Sequence, residues 1–170
     1  MHAFVFATSS GPQGIPQALL PIKGRPVLDY LLDDICDQKD VTAITIITTT
    51  ALMPLLKKHL HNAYGTRDIT ITTEKTIGGD TDALICQGAL HSSLKMQDLI
   101  RAFKQHKTAV TAEYQKDGQR IHIPHCIIPK HQLPSYGPQI GVNGLTSEVM
   151  SGMHVQNMGT GFCYEVPSSL

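Results

Sequence analysis

The stretch "HAFVFATSSGPQGIPQALLPIKGRPVLDYLLDDI", residues 2–35, decides how the rest of the chain is read. "HAFVFAT" is a short, continuous apolar run, as expected of a strand buried on both faces, and "SSGPQG" stops it. After "LLPIKGRP", Val27, Leu28, Leu31, Leu32 and Ile35 return at helical spacing, with Pro26 near the first turn. Strand, Gly/Ser/Pro-rich loop and amphipathic helix make the layout of a phosphate-handling unit. Yet the loop carries no cation.

Working outward, the same alternation continues. "VTAITIITT" reads as a second buried strand and "ALMPLLKKHLHNAYG" as a helix with Pro54 in its first turn and Gly65 as its stop. "RDITITTE" alternates as a third strand, "KTIGGDTD" is a loop and "ALICQGAL" is a further apolar run. "KMQDLIRAFKQH" is a helix with Met96, Leu99, Ile100 and Phe103 on one side. A turn at Lys116–Gly118 makes the next segments a hairpin, and Pro124 and Pro129 suggest an edge position for its second strand. The β-α-β-α-β opening implies a single Rossmann-like α/β domain over residues 1–170, with a mostly parallel sheet covered on both faces. Ligands of such sheets bind at the carboxyl ends of the strands, which places Thr8–Leu19, "KTIGGDTD" and the loop after "ALICQG" at the expected site.

Composition narrows the partners. Lys plus Arg and Asp plus Glu are 14 each, so no electrostatic footprint for nucleic acid or an anionic membrane is expected. No apolar run approaches the roughly 20 residues that span a bilayer, and "MHAFVFATSSG" lacks the features of a signal peptide. A cytoplasmic location is the expectation. Cys36, Cys86, Cys126 and Cys163 form no C-x-x-C pair and read as free thiols.

"IPQALLPIKGRPVLDYLL" resembles the sugar-phosphate nucleotidyltransferases, the nucleotide-sugar pyrophosphorylases, whose opening strand and G-x-G-T-R loop are followed by P-K-x-L-L-P-[IV]-x-[GD]-[KR]-P-[LM]-[IL]-x-[YH]. Pro16, Leu19, Leu20, Pro21, Ile22, Gly24, Arg25, Pro26 and Tyr30 fit that pattern in register. "ITTEKTIGGDTDAL" resembles the family's strand and Gly-Thr loop, and "ALICQGALHSSLKMQDLIRAFKQH" its strand ending in G-D followed by a helix. "GFCYEVPSSL" resembles its terminal G-Y-W-x-D segment. The resemblance implies a three-layer α/β/α fold of the nucleotide-diphospho-sugar transferase type, in shortened form. The connection from "TIGGD" to "ALICQG" is too short for the helix the family carries there.

By that resemblance, a nucleotide or sugar nucleotide would be held by Ser9, Ser10, Gly11, Gln13, Gly14 and Gln17, with Gly78 and Gly79 beside base and ribose. Transfer of a nucleotidyl group also needs cations on the phosphates and a divalent metal on carboxylates. Here Gln13 or a neighbour stands where the family has Arg, Gln17 where it has Lys, and Ala89 where it has the strand-end Asp. Glu165 falls on the second carboxylate, leaving Mg²⁺, if the chain is active, a single ligand from the pattern. Loss of one such electrostatic donor typically costs about 10²–10³ in rate. A degenerate transferase that binds nucleotide with little or no catalysis, in a regulatory or scaffold role, is therefore the leading expectation.

Two alternatives stand beside it. One is an active divergent transferase using Glu165 with Asp80 or Asp82 for metal and Lys23 or Lys75 for phosphate. Asp80 and Asp82 read more plainly as a turn or helix N-cap, and Lys23 as part of a turn. The other is an interaction module, a homo-oligomer or partner subunit in which Met150, Met153 and Met158 cover a surface. Asp29, Asp33, Asp34 and Asp37 read as the solvated side of the first helix. His59 and His61, and His122 and His125, read as structural or surface groups rather than metal ligands.

Overall fold

The computed structural model describes residues 1–167, so positions 168–170 of the terminal resemblance lie outside the described residues. In chain order the elements are β1 (His2–Phe6), β2 (Pro21–Ile22), β3 (Arg25–Pro26), α1 (Val27–Cys36), β4 (Ala43–Ile47), α2 (Met53–Tyr64), β5 (Ile69–Thr72) and β6 (Ala83–Gln87). Then come β7 (Leu90–Ser92), α3 (Met96–His106), β8 (Val110–Lys116), β9 (Gln119–Ile128), α4 (Leu133–Tyr136), α5 (Ser147–Ser151), β10 (His154–Thr160) and β11 (Cys163–Glu165).

Seven strands form one sheet in the order β10-β8-β9-β6-β1-β4-β5. β6, β1, β4 and β5 run parallel, β9 runs antiparallel to both β6 and β8, and β10 is parallel to β8. This is a mostly parallel mixed sheet with helices packed on it, the α/β architecture expected from the alternation of strands and helices. β1 is central and buried on both faces, which is why it reads as an unbroken apolar run.

The two faces are filled differently. On one, Ala3, Val5, Leu84 and Cys86 meet Leu28, Leu32, Leu56 and Leu99 from α1, α2 and α3. On the other, Phe4, Phe6 and Ile85 meet Leu133, Ile140, Val149 and Met153 from α4, α5 and irregular chain. Full burial of each large aliphatic side chain contributes about 1.5–3 kcal/mol. The second outer layer is thus built of single-turn helices and loops rather than long helices. Met150 and Met153 belong to it and are buried, and Met158 packs against the helical face, so the three do not form an exposed methionine surface.

Two turns follow the sequence closely. Lys23 and Gly24 (φ 51° and 79°) close the β2–β3 hairpin, and Asp117 and Gly118 (φ 51° and 77°) close β8–β9, the positive-φ pairs that two-residue hairpin loops require. The edge expectation for the second hairpin strand is corrected: β9 lies inside the sheet, between β8 and β6. Pro124 is tolerated there because the register shifts, Ala112 pairing with Ile123 and Thr111 with Cys126, so that Pro124 and His125 bulge out of the ladder.

The aspartates of α1 also differ from expectation. Asp29 is buried and hydrogen-bonds His59 Nε2 at 2.7 Å, Asp33 pairs with Arg25 and accepts from Tyr64, and Asp34 accepts from Met96 N–H at 2.9 Å. Asp29 is thus buried, while Asp33 and Asp34, though partly exposed, also tie α1 to its neighbours. All four cysteines are free thiols. No helix among the described residues is long and apolar enough to cross a membrane.

Candidate functional site

The chain leaves β1 toward β4 on one side, and β6 enters on β1's other side, so the order reverses at β1 and a crevice opens beyond its carboxyl end. A cavity of about 270 Å³ lies there, bounded by Thr8, Ser9, Gln87, Ala89, Asn143 and Glu165. A second, of about 320 Å³, lies beyond β4 and β5 among Thr48, Thr49, Thr50, Thr73 and Lys75. Thr8 and Asn143 border both.

The bridge between the two hollows is built from a tight turn. Gly141 and Gly144 exchange backbone hydrogen bonds at 3.1 Å and hold Val142 and Asn143 at the tip. Thr8 Oγ1 donates to Asn143 Oδ1 at 3.0 Å, and Gln87 Nε2 donates to the Asn143 carbonyl at 2.6 Å. Gly144 has φ +99°, and a Cβ there would fall 2.5 Å from Gln87 Nε2. Only glycine lets the turn approach so closely.

Glu165 is brought to the crevice by β11, which pairs antiparallel with β7 and sets Glu165 opposite Leu90. Val166 N–H donates to the Ala89 carbonyl at 3.1 Å, and buried Gln17 donates through Nε2 to the Val166 carbonyl. Glu165 and Ala89 therefore border the same hollow, and of the two only Glu165 carries a carboxylate. Among the described residues no group of three His, Cys, Asp or Glu side chains could hold a metal ion. Glu165 alone, without a phosphate-holding cation on the loop beside it, does not fit a divalent metal site.

The loop after β1 is tied to itself. Gly11 N–H donates to Ile15 O at 2.7 Å, Ile15 N–H to Pro12 O, and Gln17 N–H to Ser9 O. Gly11 thus uses its amide within the loop, and its missing side chain makes room for Leu20. Gln17 likewise spends its amide on Val166. Gln13 and Gly14 (φ 57° and 73°) form the left-handed corner of the loop, and Ser9 alone of the proposed loop residues lines the 270 Å³ cavity.

The other sequence candidates lie elsewhere. Gly78 and Gly79 line a larger cavity, about 760 Å³, on the loop-covered face of the sheet. Asp82 precedes β6 directly; its carbonyl accepts from His2 N–H and its carboxylate from Lys130 N–H. Asp80 and Asp82 thus lie at the amino end of β6, not the ligand end. The five-residue strand puts Asp82 roughly 16 Å from the crevice at about 3.3 Å per residue. They share no metal with Glu165. Lys23 sits in the β2–β3 turn, and the Lys75 amine donates to the Ile140 carbonyl. Thr48–Thr50, Gln87 and Asn143 were absent from the sequence candidates. The first four end parallel strands at their carboxyl ends, a usable signal; Asn143, inside "GVNG", offered only a turn.

Behind the crevice, His125 is 1% exposed and accepts a hydrogen bond at Nδ1 from Gln87 N–H at 3.2 Å. Burial lowers its pKa to about 4, so it is neutral at pH 7. It fixes the end of β6 and brings no charge to the site.

No family sequence model matches the chain, and no curated protein matches it by sequence. Among solved structures, it matches a protein assigned as a glucose-1-phosphate thymidylyltransferase from Bacillus anthracis, solved in complex with sucrose. The TM-score is 0.70 at 12% identity, over 97% of this chain and 89% of that one. The chain has a nucleotidyltransferase-like fold.

Proposed function

We propose that the chain binds a nucleotide or sugar nucleotide in the crevice beyond β1, β4 and β6 without turning it over efficiently, in a regulatory or scaffold role. The observation that carries this reading is the meeting of Glu165 with Ala89 beside a loop that holds no cation. The fold supplies the place for the ligand, and the hydroxyl and amide groups of Thr8, Ser9, Thr48–Thr50, Gln87 and Asn143 supply neutral hydrogen-bonding partners. Such groups recognise a base, a ribose or a sugar. They do not neutralise a leaving pyrophosphate, which demands charge. A diphosphate-linked sugar, with fewer charges than a triphosphate, is the better match.

The test is calorimetric and thermal titration with nucleoside triphosphates and sugar nucleotides, with and without Mg²⁺, followed by an assay for pyrophosphate release. A ligand at 100 times its dissociation constant adds about 2.7 kcal/mol of stability. The expected result is saturable, Mg²⁺-independent binding, weakened by Asn143→Ala, with no pyrophosphate released. Mg²⁺-dependent release abolished by Glu165→Gln would instead make the chain an active transferase. A flat panel would leave a fold used for protein interaction.

A further inference from the structure

A cavity larger than either hollow of the crevice lies away from it, and its origin is topological. The chain passes from β5 to β6 across the loop-covered face through residues 73–82, with no helix among them. Ile77 packs into the core of that face, but the strap is too thin to cover the amino-terminal halves of β1 and β4. The hollow of about 760 Å³ that results falls in the range of small-molecule pockets, roughly 300–1,000 Å³.

Its floor and rim differ in kind. His2 stacks on Phe4 (ring centroids 4.1 Å apart, planes 23° apart), and Pro134 and Pro138 stand on the opposite wall. His2 Nε2 is 2.8 Å from Thr45 Oγ1. Burial, with the chain's N-terminal ammonium, lowers the His2 pKa, so positive charge in the hollow comes from Lys75 and Lys130. Neither lysine has an acidic partner among the described residues. Asp82 reaches only the backbone N–H of Lys130, and neither Asp80 nor Asp82 lines the hollow.

We propose that this hollow is a second ligand site, for a small organic anion with a flat apolar body that lies against His2 and Phe4 and a charged head met by Lys75 and Lys130. Lys75 also borders the crevice, so an occupant of the hollow adjoins the first site through that side chain.

The probe is 8-anilinonaphthalene-1-sulfonate, titrated by fluorescence into the folded chain, with uncharged N-phenyl-1-naphthylamine as the control. Two variants test the geometry. Gly78 lines the hollow, has no left-handed φ and has open space where a Cβ would go, so Gly78→Phe adds bulk at its wall without backbone strain. Lys130→Gln removes an exposed charge and leaves the core untouched.

The sulfonate is expected to bind the native chain at one site, to be lost in Gly78→Phe, and to weaken about tenfold in Lys130→Gln, the scale of a charge-assisted contact. The uncharged probe should bind the native chain and Lys130→Gln alike. Circular dichroism and melting temperature confirm that both variants fold. Absence of binding to the native chain, or binding unchanged in Gly78→Phe, overturns the site. Equal weakening of both probes by Lys130→Gln, or no weakening of either, overturns its preference for an anion.

Discussion

Against the sheet face formed by Ala3, Val5 and Leu84 lie three helices; against Phe4, Phe6 and Ile85 lie two single-turn helices and irregular chain. The helices bring apolar side chains at regular spacing, and the larger hollow on their side lies between the charged surfaces of α1 and α3. The irregular layer fills the sheet's carboxyl half with Ile140, Leu145 and Val149 and leaves its amino half hollow.

The sharpest way to break this comparison is to truncate one buried side chain on each face. Leu32→Ala, in α1 and fully buried, should cost about 4 kcal/mol by denaturant unfolding. Met153→Ala, at the border of the irregular layer, should cost about 2 kcal/mol because loops can collapse into the space. Equal losses would mean that the irregular layer is packed as tightly as the helical one.

Acid should act on the helical face, where His125 borders a small hollow with Tyr30, Asp34 and Met96. Its folded pKa of about 4 lies below the ordinary 6.5, so the unfolded chain binds the proton more readily. Stability from this group is therefore intact above pH 6.5, falls as the pH drops toward 4, and is down by about 3 kcal/mol below that. Melting temperatures at pH 7, 5.5 and 4.5 should fall less steeply in His125→Gln than in the native chain. Parallel slopes would remove His125 from the account of acid sensitivity.

The smallest effects are expected in the strap. Gly79 has φ +126°, and Gly79→Ala should cost about 1–2 kcal/mol through backbone strain alone. Gly78→Ala, next to it, meets open space at an ordinary φ and should change stability by less than about 0.5 kcal/mol. Thermal melts of the pair separate conformational strain from packing at adjacent positions.

Hydrophobic patterning carried the elements through α3, because β1 and β4 are continuous apolar runs buried on both faces and α1, α2 and α3 bury residues at helical spacing. It failed where a partner from distant sequence sets the environment. Asp29 has the spacing of a surface residue, and partners outside the helix, His59 from α2 and Arg25 from β3, make its burial acceptable. Pro124 argues against an interior strand unless a bulge absorbs it, and a bulge has no sequence signature of its own. At the site, the resemblance named Ala89 and Glu165 as positions but not their surroundings. The capture of Gln17 by Val166 was not legible, since hydrogen bonds between a loop and distant sequence leave no local pattern.

The place of β1 between β4 and β6 also sets an order of assembly. One of its edges pairs once residues 43–47 exist, but the other waits for residues 83–87. At about 5–20 residues per second, ribosomal synthesis leaves that second edge open for roughly 2–8 s. An apolar strand with an unpaired edge is a template for misassociation over that interval. The β8–β9 hairpin closes through its own two-residue turn within microseconds once made. β6 then has a parallel neighbour waiting on one side and a finished hairpin on the other. The strand whose end carries the crevice is also the one that joins the early half of the chain to the late half.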